Sequence, residues 1–281
     1  MKEAEFTSEE VFAYETALPT GQWSSYGEGI LPERSDQDMV SEGMGSLDAL
    51  CRTNYKMMRN SADPEAVRTQ EDMRFIKGMS HTIIGCVLYG NASINPKQFT
   101  GLTPRYNSKA KNTVLSEGGS GSDLLSIWIV NWNTSDGAYI FYPKGRNDLG
   151  IGITNLGIGH ATDTNNGGEY ASYRTFFDIE WGLAVKREDQ CCRYGDIESS
   201  GSTNTFDHKK MIEALNLLWE PQGSVIYGNR NALTQIDLLS VDKTNVRYYE
   251  ENVYGRPTHF FQSHPIKLVE QLLTTESALA A

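Results

Sequence analysis

The segment from Asp63 to Asn91 has the pattern of one long amphipathic helix, and it constrains the fold more than any other feature. Asp63 is a good N-cap residue and Pro64 suits the first helical position. Gly90-Asn91 is a C-terminal stop signal. A helix of ~25 residues is a rod of roughly 38 Å. Its apolar residues recur at steps of three and four, which predicts one face made of Met73, Ile76, Met79 (or Ser80), Ile83 and Val87.

The region after this helix, residues 96–199, reads as mostly β-structure. Leu125 to Trp132 alternates, Asp136-Gly137 supplies a turn, and Ala138 to Tyr142 returns, which predicts a hairpin. Tyr170 to Val185 alternates again and is predicted to be a strand. The intervening stretch from Gly145 to Gly168 is rich in Gly and Asn, so we expect a loop there.

The last third of the chain mixes helix and strand. In order, the predictions are a helix from Phe206 to Trp219, a strand from Val225 to Tyr227, a helix from Asn231 to Val241, strands near Val246 to Tyr249 and Thr258 to Phe261, and a final apolar run from Ile266 to Leu273. One face of the first helix would carry Met211, Leu215 and Leu218. Together with the β-rich middle, these elements predict an α+β protein.

Residues 17–62 are rich in Gly, Ser and Pro but also carry large apolar side chains. A loop of this length without its own core usually means disorder or function. Disordered linkers seldom hold so many large apolar groups, which here are Trp23, Tyr26, Ile30, Leu31, Met39 and Met44. The segment could therefore become ordered against a partner chain.

The net charge of −11 is concentrated in the first fifty residues. They hold eleven acidic residues against Lys2 and Arg34, a net charge of −9. Such a segment does not neutralise phosphates, which argues against nucleic-acid binding through it. Two interpretations remain: a solvated acidic tail that repels itself, or an arm that lies across basic patches of a neighbouring subunit.

Signatures of catalysis are thin. The stretch from Gly150 to Gly159 begins as Gly-x-Gly but lacks the third glycine of a dinucleotide fingerprint. There is no phosphate-binding loop and no nucleophile elbow, and the cysteines and histidines lack the spacing of metal ligands. We therefore predict that the protein is not an enzyme and has no catalytic residues, cofactor or metal. The amino terminus also lacks the pattern of a secretory signal, so we expect folding in a cytoplasm.

Short runs in a fixed order remain, and no catalytic chemistry accounts for them. They are Leu88-Tyr89-Gly90-Asn91, Phe99 to Asn107, Ser126 to Val130, Phe141 to Gly145, Trp181 to Leu183, Ile226 to Arg230 and Pro265-Ile266. In this order and spacing the chain resembles the major capsid proteins of tailed bacteriophages, in the branch that includes the short-tailed phage epsilon fifteen. The positions that carry the resemblance are Tyr89, Gly90, Asn91, Phe99, Gly101, Leu102, Arg105, Tyr106, Trp128, Pro143, Lys144, Gly145, Trp181, Gly182, Leu183, Tyr227, Asn229, Arg230 and Pro265. One departure is Gln262-Ser263-His264, where the family usually has a Gly-containing turn.

The resemblance implies the Hong Kong 97-type phage capsid fold, with an N-terminal arm, an extended loop, a peripheral domain with a long spine helix, and an axial domain. The implied division is residues 1–16 for the arm, 17–62 for the extended loop, 63–95 for the peripheral domain with the spine helix, 96–199 for a β-rich region that is peripheral or inserted, 200–256 for the axial domain, and 257–281 for the return to the peripheral domain.

The implied function is that of a major capsid protein, which self-assembles into hexamers and pentamers of an icosahedral shell around phage DNA. It would belong to the virion and assemble in the host bacterial cytoplasm. Because the chain begins almost at the arm, we expect a separate scaffolding protein, with a portal protein as a further partner. The sequence leaves open whether a decoration protein also binds. One alternative is the shell protein of a cellular nanocompartment of the same fold. The other is a β-rich hydrolase or carbohydrate-binding domain that uses Trp23, Tyr26, Trp132 and Trp181.

Overall fold

The computed structural model of the chain describes residues 1–17, 19–165, 167–201, 203–240, 248–253 and 256–281. In these ranges the helices are α1 (Tyr55–Arg59), α2 (Pro64–Tyr89), α3 (Leu102–Arg105), α4 (His208–Asn216) and α5 (Arg230–Ser240). The strands are β1 (Lys2–Glu3), β2 (Glu9–Ala17), β3 (Asp36–Gly43), β4 (Gly45–Asn54), β5 (Val114–Ser116), β6 (Leu124–Val130), β7 (Ala138–Tyr142), β8 (Ile151–Thr162), β9 (Glu169–Val185), β10 (Cys191–Glu198), β11 (Val225–Gly228), β12 (Tyr248–Val253), β13 (Arg256–Phe261) and β14 (His264–Leu268).

One sheet is organised around β9, the longest strand in the described ranges at 17 residues. Along one edge β9 pairs antiparallel with β4, and along the other it pairs first with β8 and then with β7. Strand β1 pairs in parallel with the far edge of β7. The order is therefore β1-β7-β9-β4, with β8 beside β9.

Helix α2 packs across this sheet and confirms the predicted long helix. Asp63 caps it, because its side chain accepts a hydrogen bond from the Ala66 N–H at 3.1 Å. The predicted face is only partly right: Met79 and Ile83 are buried, but Met73 is 59% exposed. In the first half of the helix Phe75 faces the sheet instead, and its ring stacks on Phe177 of β9 with centroids 6.4 Å apart.

A second sheet has the order β12-β13-β14-β11-β6-β10-β5 and carries α4 and α5. Every residue of β6 is buried. The predicted α4 face of Met211, Leu215 and Leu218 is buried in this core. The helices and strands predicted in the last third are present, with shorter bounds: the first helix is His208–Asn216, and the final apolar run is a strand only as far as Leu268. Val241 and Val246 lie outside the described residues.

The turn between β13 and β14 is the predicted departure from a Gly-containing turn. Gln262 and Ser263 both have left-handed backbones, with φ of 49° and 72°. A two-residue hairpin turn with positive φ at both positions normally favours Gly or Asn. The turn therefore has this geometry even though a left-handed backbone is strained for Gln and Ser.

The predicted hairpin between Leu125–Trp132 and Ala138–Tyr142 is wrong. Strand β6 lies in the second sheet, where β10 and β11 occupy both of its edges. Strand β7 has no edge of β6 left to join, and it pairs with β9 in the first sheet. The Asp136-Gly137 turn therefore links two sheets rather than two neighbouring strands.

The predicted loop from Gly145 to Gly168 is also wrong, since Ile151–Thr162 forms β8. The glycines give room to charged side chains of β9. A Cβ on Gly152 would lie 2.1 Å from Asp178 Oδ1, and one on Gly159 would lie 2.3 Å from the Arg174 guanidinium. These glycines therefore fit a strand whose neighbour carries long side chains across it, and they do not signal a loop here.

The amino-terminal region is built around a two-stranded antiparallel ribbon of β2 and β3, which pair from Glu9↔Gly43 to Ala17↔Asp36. Residues 19–35 form its tip. The segment 17–62, predicted as a loop without its own core, thus contains β3, β4 and α1. In the segment 1–16, β1 and β2 pair within this same chain.

Candidate interaction surfaces

Two motif glycines close the carboxyl end of α2. The Gly101 N–H donates to the Gly90 carbonyl at 2.8 Å. A Cβ on either glycine would lie 2.5 Å from the Cys86 carbonyl oxygen. Phe99 and Leu102 beside them are buried. Glycine is therefore needed at positions 90 and 101, because the backbone of the segment that follows α2 packs directly on the backbone at the end of that helix.

A buried ion pair lies next to this helix end. Arg193 Nη2 donates to Glu276 Oε2 at 2.8 Å, and both side chains are only 4% exposed. Glu276 also accepts hydrogen bonds from the hydroxyls of Tyr89 and Ser126. Burial, and then the adjacent carboxylate, raise the pKa of Tyr89, so its hydroxyl stays a donor.

Two further motif residues complete the surroundings of Arg193. Its Nη1 donates to the Tyr106 carbonyl at 2.9 Å, and its guanidinium lies 5.4 Å from the Trp128 ring centroid. The Tyr106 and Trp128 rings meet edge to face, with centroids 5.9 Å apart. Three motif positions (Tyr89, Tyr106, Trp128) thus converge on one buried ion pair and hold it in place.

The base of the β2–β3 ribbon is held by ionic contacts to the body of the subunit. Glu10 and Glu42 are directly opposite each other on the two strands, an arrangement of like charges that is unfavourable alone. The motif residue Arg105 neutralises Glu42 through a bidentate contact of 2.5 and 2.7 Å. Arg105 also donates to the carbonyl of the motif residue Leu183 at 3.4 Å.

Glu10 has its own set of donors and is fully buried. Its carboxylate accepts hydrogen bonds from Lys2, from the Glu5 N–H at 2.8 Å and from the Tyr139 hydroxyl at 2.9 Å. Burial raises the pKa of the Glu10 carboxyl, but these hydrogen bonds outweigh burial and hold its pKa below the ordinary value.

Substituting Glu10→Gln should therefore cost about 1–2 kcal/mol of unfolding free energy at pH 7. Because the folded-state pKa of Glu10 is depressed, its contribution is present above the unfolded pKa of ~4.3 and is lost as pH falls through the folded value. Urea unfolding of both proteins at pH 7 and at pH 3 should thus show the difference shrinking with acidification. Exposed Glu65→Gln is the control, and a difference independent of pH would contradict this account.

The Pro143-Lys144-Gly145 motif holds the amino terminus. Lys144 Nζ donates to the Glu5 carbonyl at 3.2 Å, and the Gly145 N–H donates to Glu3 Oε1 at 2.7 Å. Gly145 has a left-handed φ of 85°, which explains glycine at that position.

Motif residues on β9 accommodate neighbouring groups. A Cβ on Gly182 would lie 2.2 Å from the Phe141 ring, so only glycine leaves space for that ring. The Trp181 indole N–H donates to the Leu149 carbonyl at 2.9 Å. These contacts join β9 to β7 and to the turn before β8.

The remaining motif positions lie apart from these. Asn229 caps α5, since its Oδ1 accepts from the Ala232 N–H at 2.8 Å. The Tyr227 hydroxyl accepts a hydrogen bond from the Trp132 indole N–H at 2.8 Å.

The last three motif positions make other kinds of contact. Arg230 forms an exposed ion pair with Glu270. Pro265 pairs with Phe260 between β14 and β13, and the Asn91 side chain accepts from the Ser93 N–H at 3.0 Å. The motif residues therefore support the fold at several places and do not form one site.

The largest unpartnered apolar groups are at the ribbon tip. The side chains of Trp23 and Tyr26 are fully exposed, and those of Ile30 and Leu31 are largely exposed. Trp132 and Trp181, the other aromatics considered for a carbohydrate site, instead use their indole N–H groups within the chain. Trp132 follows β6 and Trp181 lies in β9, so neither belongs to the ribbon tip that carries Trp23 and Tyr26.

The tip has internal hydrogen bonds that give it a defined shape. Glu33 Oε2 accepts from the N–H groups of Thr20 and Gly21 at 3.1 and 2.9 Å. Gln22 Oε1 accepts from the Leu31 N–H at 3.3 Å. The two sides of the tip are therefore tied together below the exposed aromatics.

Within the described ranges, no group of three or more His, Cys, Asp or Glu side chains is placed to hold a metal ion. The helices in the same ranges include none long and apolar enough to cross a bilayer.

Comparison with known proteins gives a match over nearly the whole chain. A family model described as major capsid protein GP7 matches residues 1–280. A chain of the bacteriophage Epsilon15 structure is similar with a TM-score of 0.69 and 22% identity, covering 99% of this chain and 87% of that one. The SrpI encapsulin of Synechococcus elongatus has a TM-score of 0.48 and 8% identity, over 74% of this chain and 89% of that one. A Mycobacterium phage Adephagia chain has a TM-score of 0.45 and 8% identity, over 66% and 81%. No curated protein matches by sequence.

Proposed function

The chain belongs to the major capsid protein GP7 family, and from that premise we propose that its copies join through the β2–β3 ribbon into the rings of five and six subunits of an icosahedral shell. Membership over residues 1–280 confirms the predicted function, a structural protein of the phage capsid. The similarity to the Epsilon15 chain confirms the predicted Hong Kong 97-type fold.

The observation that carries the proposal is the fully exposed aromatic pair at the ribbon tip, Trp23 and Tyr26. Large aromatics are the residues that most often dominate binding energy at protein interfaces. Burying an apolar side chain of this size contributes ~1.5–3 kcal/mol. Trp23 and Tyr26 are exposed to water at the end of the ribbon, where a neighbouring subunit of the shell can bury them.

The construction of the ribbon supports the same role. Its base is fixed by the Glu10 and Glu42 contacts, and its tip is tied by Glu33. Less conformational entropy is then lost when the tip binds, which favours association. An isolated two-stranded ribbon is at best marginally stable in water, so burial against a neighbour also stabilises the ribbon itself.

We propose for this chain the division into domains that the family resemblance implies. Residues 17–62 act as the extended loop, with the part from 19 to 35 as its contact region, and α2 is the spine of the peripheral domain 63–95. In this proposal residues 96–199 are the β-rich region, 200–256 the axial domain, and 257–281 the return to the peripheral domain, and strands from all three ranges meet in the second sheet. Within the arm, residues 1–16, β1 docks on its own subunit and the part from Glu9 onward is the first strand of the ribbon.

Further partners are proposed on the chemistry of a shell. A net charge of −11 per subunit suits a shell that encloses DNA without binding it sequence-specifically. We expect no enzymatic activity, assembly in the host bacterial cytoplasm, a separate scaffolding protein and a portal protein. The family match favours a virion over a cellular nanocompartment.

The test is assembly of the Trp23→Ala/Tyr26→Ala double variant. Purified wild-type protein is expected to give fast-sedimenting closed particles or rings by negative-stain electron microscopy. The double variant should remain as folded subunits, with an unchanged circular dichroism spectrum. Trp219→Ala is the matched control, because Trp219 is also exposed but lies outside the ribbon.

Two outcomes would contradict the proposal at different levels. If the double variant forms particles at wild-type yield, the ribbon tip is not needed for assembly, and the shell function itself is not affected. A compact wild-type monomer that persists even with added scaffolding protein and crowding would count against shell formation itself.

A further inference from the structure

Strand β8 has one edge that no strand of the described chain pairs with. Its inner edge pairs with β9 from Ile151↔Ile179 to Thr162↔Glu169. In the next position of the sheet, β1 pairs with β7, but no described strand continues that position alongside β8. The sheet therefore ends in a 12-residue edge that has no strand partner within the described ranges. The Ile151 and Gly157 N–H groups bond Asp148 and Asn155, and the outward-facing backbone groups of the rest of the edge are a template for another chain.

This edge has little of the protection that exposed edge strands usually carry. Natural proteins block such edges with Lys, Pro or inward charges, yet Ile151–Thr162 contains no Asp, Glu, Lys, Arg or Pro. Its one irregularity is a bulge between Asn155 and Gly157, where Gly157 has a φ of 71°. The bulge leaves a regular run on each side, so the edge can still accept a strand.

An apolar row lies along the same strand. Ile153 and Ile158 are 61% and 58% exposed. They pair with Phe177 and Tyr173 of β9, which contact side chains of α2, and directly paired residues share a face of the sheet. Helix α2 packs over β4 and β9, which leaves the apolar row beside it open to solvent.

We propose that β8 is an interface between two copies of this chain, in which the two β8 strands pair antiparallel about a two-fold axis and join both sheets into one. This contact is separate from the ribbon contact. With the axis perpendicular to the sheet, both α2 helices lie on the same side. Ile153 and Ile158 of the two copies then form one continuous apolar strip.

Electrostatics favours a second β8 as the occupant. Identical strands pair about a two-fold axis only where no like charges meet. Strand β8 contains no Asp, Glu, Lys or Arg, and the β9 side chains that reach across it are Asp178 at Gly152 and Arg174 at Gly159. In an antiparallel pair the Arg174 end of one copy therefore meets the Asp178 end of the other. The ribbon strands do not meet this condition: Glu9 and Asp38, for example, would bring further carboxylates against those of a second ribbon.

The size of the contact sets the conditions for testing it. Twelve residues at ~3.4 Å each make a strip roughly 40 Å long, and at about 10 Å wide it buries about 400 Å² per copy. A stable complex buries ~800 Å² per partner. The β8 pair is therefore too small to hold an isolated dimer and forms where other contacts already hold the subunits together.

The first test is thiol crosslinking of an Ile158→Cys variant in assembled particles with a short bismaleimide. When the two strands pair over their full length, residue 158 lies opposite residue 155 of the other copy, so the two thiols are offset by three residues, roughly 10 Å. A crosslinked dimer joined through residue 158 of both copies is expected, identified by mass spectrometry. The native cysteines give little background, since Cys51, Cys191 and Cys192 are buried and Cys86 is half-buried. Ile94→Cys is the matched control, because Ile94 is an isoleucine 82% exposed outside the sheets. A dimer yield no higher than that of the control would overturn the proposal.

The second test places a charge on the edge with Ile158→Lys, which puts two cations near the two-fold axis. Because Ile158 is mostly exposed, the subunit should keep its circular dichroism spectrum while the yield of closed particles falls well below that of Ile94→Lys. Particles of Ile158→Lys at wild-type yield would overturn the β8 interface. The ribbon proposal would stand in that case, since it rests on the Trp23 and Tyr26 variant alone.

Discussion

Substituting Glu276→Ala is expected to lower the free energy of unfolding by about 3–5 kcal/mol, because it leaves the Arg193 guanidinium buried without a counter-charge. The loss spreads beyond one pair, since Glu276 also accepts from the hydroxyls of Tyr89 and Ser126. Each buried donor that loses its acceptor costs a further desolvation penalty.

The same substitution should loosen the carboxyl-terminal segment. The Glu276 N–H donates to the Leu124 carbonyl at 2.9 Å, and the Leu279 N–H donates to Asp196 Oδ1 at 2.8 Å. These bonds hold the segment against β6 and β10. Hydrogen exchange at Glu276 and Leu279 should therefore become faster in a variant that lacks the ion pair.

Urea unfolding measures the loss, with two comparison variants. Glu270→Ala removes the exposed pair with Arg230 and should cost less than about 1 kcal/mol. The double variant Arg193→Met/Glu276→Leu should recover much of the stability, because apolar replacement of a buried pair is often neutral. An equal effect of Glu276→Ala and Glu270→Ala would show that the buried pair does not stabilise the subunit.

Helix α2 was predictable because its signals are local. The Asp63 cap, Pro64 and the apolar period lie within one stretch of sequence, and the structure begins and ends the helix there. The buried face was predictable only in part. Phe75 rather than Ile76 meets the sheet, because the position of β9 under the helix depends on residues about a hundred positions away.

Strand pairing was the least predictable part of the fold. The alternation in β6 and β7 and the turn between them are those of a hairpin, but β10 and β11 occupy both edges of β6. The glycines of β8 suggested a loop, and only the side chains of Asp178 and Arg174 on β9 explain them. Both errors come from partners that are distant in sequence.

The acidic residues that fix the ribbon and the carboxyl-terminal segment carried no local signal either. Glu10 meets Tyr139 at a sequence separation of 129 residues, Glu42 meets Arg105 at 63, and Glu276 meets Arg193 at 83. The family resemblance identified Arg105 but not its carboxylate, since a single chain does not show which residues pair.

Gly101→Ala should be about as damaging as a poor fit in the core can be, with an expected loss of about 3 kcal/mol. The added Cβ would lie 2.5 Å from the Cys86 carbonyl oxygen and 2.7 Å from that of Val87. Both are backbone atoms of α2, so no side-chain rotation relieves the clash. The loop must move away from the helix, and the hydrogen bond from the Gly101 N–H to the Gly90 carbonyl is then broken.

The decisive comparison is with Gly78→Ala, in the middle of α2. A Cβ on Gly78 meets nothing within 4 Å, so alanine there should stabilise the subunit by ~0.5–1 kcal/mol through its higher helix propensity. The same chemical change is thus expected to have opposite signs at two glycines, one in mid-helix and one packed on the helix end. Urea unfolding of the two variants gives both signs in one experiment. Equal losses at both positions would mean that α2 tolerates no added methyl anywhere, and the backbone contact at Gly101 would not be what sets the end of this helix.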